Sequence, residues 1–232
     1  MGSAQPTVVP VSRPLAQLAG EVTVCRACPR LVAWREQVAV EKVARFATDD
    51  YWGRPVPGFG DPAAHLLIVG LAPAAHGANR TGRVFTGDRS GDFLFASLHR
   101  CGYANQPTSV HAADGLRLQG AYITAAVKCA PPANQPTPVE RELCRPFLER
   151  ELALLTRVRV LVALGQFGWD VVCSSLGVRP RPRFGHGAEA PLPDGRVLLG
   201  SYHVSQQNTF TGVLSEAMLD GVFERARTIG TP

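Results

Sequence analysis

The residues best suited to chemistry begin with four cysteines in two pairs. Cys25 and Cys28 form "CRAC", followed by Pro29, a spacing that lets two thiolates reach one metal centre. Cys129 lies in "KCAPP", and Cys144 follows after fourteen intervening residues, early in a helix expected after Pro138. That helix can turn Cys144 back toward Cys129. Four thiolates suit either tetrahedral zinc or an iron–sulfur cluster, and their chemistry alone does not choose. Cys101 and Cys173 read instead as small buried hydrophobes. Disulfides are not expected if the chain is intracellular, where thiols stay reduced.

The second group surrounds the loop "GLAPAAHGANRTGRVFTGD". It lacks the G-x-G-x-x-G spacing and the G-K-[ST] ending of phosphate cradles. The chain carries "CRACP" but no H-x-E, which sets aside a zinc deaminase. A small, bend-rich backbone can present N–H groups to a flat heterocycle, and Phe85 offers a face for stacking; its plainer alternative is an ordinary core aromatic. His203 in "SYHVS" can donate a hydrogen bond or positive charge to a developing anion, or can be a satisfied structural histidine.

These residues need a scaffold that brings them to one edge. Four continuous apolar runs, Leu66–Gly70, Ala121–Val127, Val158–Leu164 and Val197–Ser201, predict strands covered on both faces. Helical periodicity marks 15–24 and 31–46 before them, and 91–101, 138–156, 166–176 and 215–227 after each strand in turn. The alternation predicts an α/β fold, a three-layer α/β/α sandwich with a mostly parallel four-stranded sheet and right-handed crossovers. Such sheets bind ligands beyond the carboxyl ends of their strands, where both groups of residues emerge.

Composition agrees with one sizeable domain: 232 residues, 45% hydrophobic and 19% charged, with residues 1–13 as a loose terminus and 14–232 as the domain. The net charge of +5 favours a polyanionic partner without demanding one. No apolar run reaches the ~18 residues of a membrane span, and the N-terminus lacks a signal-peptide layout, so a cytoplasmic, membrane-free protein is expected. No repeat or low-complexity tract is present.

Taken in order, "CRACP", "GLAPAAHGANRTGRVFTGD", "YITAAVKCAPPANQPT" and "YHVSQQNTFTG" resemble family 5 of the uracil-DNA glycosylase superfamily, the type-B iron–sulfur enzymes. The resemblance spans most of the chain. It implies a [4Fe–4S] cluster on Cys25, Cys28, Cys129 and Cys144. It also implies a monofunctional enzyme that flips uracil out of DNA and hydrolyses it off, leaving an abasic site. Other deaminated or damaged bases such as hypoxanthine, xanthine, hydroxymethyluracil and ethenocytosine are implied as well.

Carried over by position, Gly70, Leu71, Ala72 and Asn134 line the base pocket, Phe85 stacks on the base and His203 stabilises charge on its carbonyl oxygen. Ser205 and Asn208 sit on the loop that approaches the damaged strand. Asp88 resembles the family's acidic residue, with a helix N-cap as its alternative. Leu71 and Ala72 stand where many superfamily members have a water-activating residue, and Val204 replaces a common proline that would stiffen the loop. No basic, histidine-containing insertion of the covalently trapping kind follows the first motif, so turnover is expected.

Arg179, Arg181 and Arg183 could follow DNA phosphates, or form a plain solvated loop. The expected partner is DNA holding a damaged base, double-stranded and also single-stranded, met by a monomer. Two other function classes fit part of the pattern: a non-enzymatic iron–sulfur DNA-binding or redox-sensing protein, and a zinc-stabilised hydrolase of small nucleosides.

Overall fold

Strand residues with continuous apolar character fold into a sheet buried on both sides, and the alternation along each strand decides which side. In the computed structural model, which describes residues 13–230, Leu66 and Ile68 of β2 (Leu66–Gly70) join one core, whereas Leu67 and Val69 join the other. The same period-two split separates Val160, Val162 and Leu164 from Leu161 and Ala163 along β4 (Val160–Leu164).

Helices α4 (Arg89–Arg100) and α8 (Glu216–Gly230) cover the first face through Leu94, Phe95, Leu98, Leu219, Val222 and Phe223. On the second face lie α1 (Arg13–Thr23), α5 (Pro138–Leu154) and α6 (Gln166–Ser175), anchored by Leu15, Leu148, Leu152 and Trp169. The expected three layers are therefore present. The sheet is larger than expected.

It has six strands in the order β1-β3-β2-β4-β6-β5, not four. The parallel centre comprises β3 (Ala121–Ala125), β2, β4 and β6 (Val197–Ser201). Two short antiparallel strands, β1 (Phe59–Gly60) and β5 (Glu189–Pro191), flank it. Both lie in Gly- and Pro-rich stretches whose composition reads as loop; backbone pairing to an already formed neighbour, rather than apolar content, makes them strands.

Other boundaries shift. The helix expected over 31–46 starts at Pro29 and ends at Glu41 as α2, because Lys42 adopts a left-handed φ of 52°, and a 3-10 turn follows at Ala44–Phe46. Two short helices, α3 (Ala78–Thr81) and α7 (Gln206–Phe210), form inside segments read as loops. The terminus expected to be loose lies outside the described residues except for Arg13, which opens α1.

The connection after β2 runs through α4 to β3, while that after β4 runs through α6 to β6 on the opposite side. The crevice at the carboxyl ends of β2 and β4 is thus the topological switch point, where open α/β sheets take ligands.

Candidate active site and cysteine site

At that edge a cavity of about 440 Å³ is lined by Leu71, Ala72, Phe85, Asp88, Asn134 and His203, with Ser205 at its rim. Gly70 lies behind it. A Cβ there would sit 2.6 Å from Phe85 Cζ, so only glycine lets the ring lie against the strand end.

Phe85 itself is held at a left-handed φ of 50°, a costly state for a bulky side chain, on the order of 1–3 kcal/mol. The adjoining residues over-determine it. Arg83 is 5% exposed and donates to Thr86 Oγ1 at 2.9 Å, to Ser109 Oγ at 3.0 Å and to both oxygens of Asp114. The Phe85 and His203 rings lie 6.4 Å apart, inclined by 42°, leaving them as two walls of one space. Asn134 projects from a 3-10 turn, Pro132–Asn134, also at a left-handed φ of 56°.

His203 lies two residues past the end of β6. Its carbonyl accepts from Asn208 Nδ2 at 2.8 Å, and Ser205 caps α7 by accepting from the Asn208 N–H at 3.4 Å. Asn208 therefore points inward, as a brace for His203, rather than outward along the loop. Val204 is fully buried in the first core, so side-chain packing anchors the segment where proline would have restricted it. Desolvation holds the His203 imidazole below its ordinary value of 6.5, which keeps it neutral near pH 7 with one N–H to donate.

Asp88 takes both of its expected positions at once. It is the N-cap of α4, accepting the Gly91 N–H at 3.0 Å, and it lines the cavity. Burial raises its carboxyl pKa, opposed by the cap hydrogen bonds. Gly77 leaves it room: a Cβ at that position would lie 1.9 Å from Asp88 Oδ2.

Sequence reasoning missed an adjoining groove of about 540 Å³, which shares Ala74, Asp88, Asn134 and Gln206 with the cavity. Arg45, lying 4.9 Å over the Phe46 ring, and Arg89, 5.5 Å over the ring of Phe210, line this groove. Arg179, Arg181 and Arg183 line neither space; all three are exposed, and Arg181 pairs with Asp170 at 3.1 Å.

The cysteines come from three segments. Cys25 follows α1, Cys28 is the N-cap of α2 with Pro29 at its first position, Cys129 lies just past β3 and Cys144 is in α5. Arg30 of α2 clasps Glu140 of α5 with two bonds of 2.7 Å, and Glu140 closes a capping box with Thr137, so the segments are tied together. All four thiols line one small apolar cavity with Leu31, Val127 and Phe147.

Among the described residues, no three Cys, His, Asp or Glu side chains gather as a set that could hold one metal ion. Burial pushes Cys129 up to about 11 and Cys144 to about 12, so their thiolates require a positive partner. Arg35 makes the converse demand. Its side chain is 2% exposed, its Nη1 donates to Cys129 Sγ at 2.9 Å, and the nearest carboxylate, Glu36, is 3.8 Å away. A buried cation whose only carboxylate lies at the edge of ion-pair distance is poorly compensated. An anionic, polythiolate-bound group in this cavity would satisfy both demands.

Three half-buried histidines, His65, His186 and His203, are held below 6.5 mainly by desolvation. Since the unfolded chain then takes up protons first, stability falls as pH drops below about 6.5 toward the folded values. Scanning calorimetry is expected to give a lower Tm at pH 5.5 than at 7.5, ahead of the carboxylates that titrate nearer 4. An equal or higher Tm at pH 5.5 would contradict this.

Among the described residues no helix is long and apolar enough to cross a membrane. The sequence model of the uracil DNA glycosylase superfamily matches residues 57–227. A type-5 uracil-DNA glycosylase of Mycobacterium tuberculosis is 57% identical over 218 residues, covering 93% of this chain and 81% of the relative. Type-5 uracil-DNA glycosylases of Thermus thermophilus and Pyrobaculum aerophilum are 54% and 46% identical, covering 90% and 87% of this chain and 95% and 87% of theirs. With the cavity at the switch point and homology along nearly the whole chain, the protein belongs to the uracil DNA glycosylase superfamily and, within it, to the type-5 group.

Proposed function

We propose that this protein is a monofunctional DNA glycosylase that flips uracil out of DNA into the cavity and hydrolyses its N-glycosidic bond. The observation that carries the reading is the cavity itself, large enough for a base and lined by both Phe85 and His203 at the sheet's carboxyl edge. Other deaminated or damaged bases, namely hypoxanthine, xanthine, hydroxymethyluracil and ethenocytosine, belong to the same proposal. Half of the lining residues, three alanines with Leu71, Pro73, Val84 and Phe85, are apolar, a surface that suits a flat ring without fixing one pattern of polar substituents. Duplex DNA is the main substrate; single-stranded DNA, with no pairing to break, is also accepted.

Bond cleavage leaves negative charge on the base and positive charge on the sugar. Neutral His203 donates its N–H to the base carbonyl where that charge gathers, Phe85 stacks on the ring, and the side chain of Asn134 meets the base edge. Asp88 faces the sugar, where it polarises water or offsets the cationic transition state. Arg45 and Arg89 follow the phosphates in the adjoining groove, joined farther out by Arg179, Arg181 and Arg183.

Cys25, Cys28, Cys129 and Cys144 hold a [4Fe–4S] cluster in the same reading. When bound, it supplies an anionic crosslink that joins three chain segments and neutralises Arg35.

The test is base release from duplex oligonucleotides holding one uracil opposite guanine, scored as alkali-labile strand breaks with protein purified without oxygen. Breaks at the uracil are expected; binding without release would defeat the proposal. Asp88→Asn separates two roles, since asparagine still caps a helix but carries no charge. The variant is expected to melt within about 2 °C of wild type, the effect of under 1 kcal/mol in a chain of this size. Release is expected to slow at least about tenfold, the low side of general acid–base effects. An unchanged rate would leave Asp88 as a cap alone.

A further inference from the structure

A continuous set of contacts runs from the cysteine cavity to the base pocket. Arg35 donates to Cys129 Sγ at 2.9 Å and to the Cys25 carbonyl at 3.2 Å. The carbonyl of the same Arg35 accepts from Asn79 Nδ2 at 3.2 Å. Asn79, wholly buried at the start of α3, gives its backbone N–H to the Ala74 carbonyl at 3.0 Å, and Ala74 lines the base pocket. The Asn79 carbonyl takes the Gly53 N–H at 3.0 Å, so this side chain and backbone pin α2, the 52–53 segment and the pocket loop at one point.

Two atoms in this set are buried without a hydrogen-bond partner, Arg35 Nε and Asn79 Oδ1. Such atoms are costly, and they persist where the surrounding geometry is fixed for another reason. Compare Lys128, which is equally buried but has Glu151 at 2.7 Å and Thr124 beside it. The carboxylate near Arg35, Glu36, is half-exposed and 3.8 Å away, whereas Lys128 has a buried carboxylate at hydrogen-bond distance.

We infer that Asn79 is a positioning residue of the base pocket, and that Arg35 couples it to the cysteine site, so that a filled cysteine site holds the loop 71–77 in its base-binding shape. This rests on the glycosylase reading for its consequence in activity, and on this chain's own contacts for its structural part. With the cysteine site filled, Arg35 is held at both its side chain and its carbonyl. When the site empties, the buried guanidinium keeps only the half-exposed Glu36 carboxylate at 3.8 Å, α2 shifts to hydrate it, and the Asn79 anchor under Ala74 goes with it.

Hydrogen–deuterium exchange on the iron-loaded protein tests the coupling apart from the reaction. Asn79→Ala lies away from the thiols; it is expected to keep wild-type iron content and wild-type exchange in β2 and β4. Amides 74–81 should exchange at least about tenfold faster, and kcat/KM for uracil-containing duplex should fall by about tenfold. Arg35→Met keeps the stem but removes the donors; it is expected to release iron to a chelator at least about tenfold faster and to loosen the same amides. Unchanged exchange over 74–81 in Asn79→Ala overturns the positioning role. Faster iron release in Arg35→Met with no loosening there overturns the coupling. If the wild type releases no uracil the glycosylase reading fails, while the exchange comparison still decides whether the two sites are joined.

Discussion

Replacing His203 by alanine is expected to slow uracil release by about 100- to 1,000-fold, the usual cost of losing one preorganised donor to a developing anion. The loss should fall on kcat with KM little changed, because the base carries its charge only as the bond breaks. Burial keeps the ring neutral, so the deficit should be the same at pH 7 and pH 9. Asn208→Ala, which frees the His203 carbonyl but spares the ring, should cost much less. Single-turnover rates decide the matter: an alanine variant within about threefold of wild type would take His203 out of the mechanism.

The second large effect belongs to Cys129. Its serine variant is expected to lose iron and to leave buried Arg35 with only half-exposed Glu36 as a counter-charge. Structural metal sites contribute about 10–16 kcal/mol in small zinc domains. Losing even about 5 kcal/mol would lower the Tm by roughly 10–20 °C at about 2–4 °C per kcal/mol. Cys101→Ala is the control, because that thiol is buried against the Asp220 carbonyl, far from the other four in the fold, and should leave iron content unchanged. Full iron in Cys129→Ser would refute the proposed ligand set.

How much of this could be read beforehand depended on whether a feature was carried by side-chain pattern or by tertiary placement. β2 and β4 were legible because strands buried on both faces need unbroken apolar runs, and "LLIVG" and "VLVAL" have them. β1 and β5 were not, since two or three residues pair through backbone alone. The end of α2 at Glu41 depends on one left-handed residue, Lys42, which no periodicity announces.

At the site, the polar residues of three strand-end loops, after β2, β3 and β6, meet as the topology requires. Three features were invisible in the chain. Arg35 sits in "AWREQ", which looks like an exposed helical turn, yet its side chain is buried against a thiol. The inward turn of Asn208 follows from the cap that Ser205 provides for α7. The close pairing of Gly70 with Phe85 joins residues fifteen positions apart and needed the loop's path to be known.

The short outer strands also bear on how copies of the chain meet one another. A six-stranded sheet with an apolar interior would be a template for cross-chain pairing if it ended in long, flat, open strands. Here one rim is only two residues long, Phe59–Gly60. The other is three residues long and ends on Pro191, which has no N–H to offer. An incoming strand would find few bonds on either side, so growth of intermolecular β-structure from the native fold is disfavoured, and aggregation of this protein should begin only after one of the outer strands has come away.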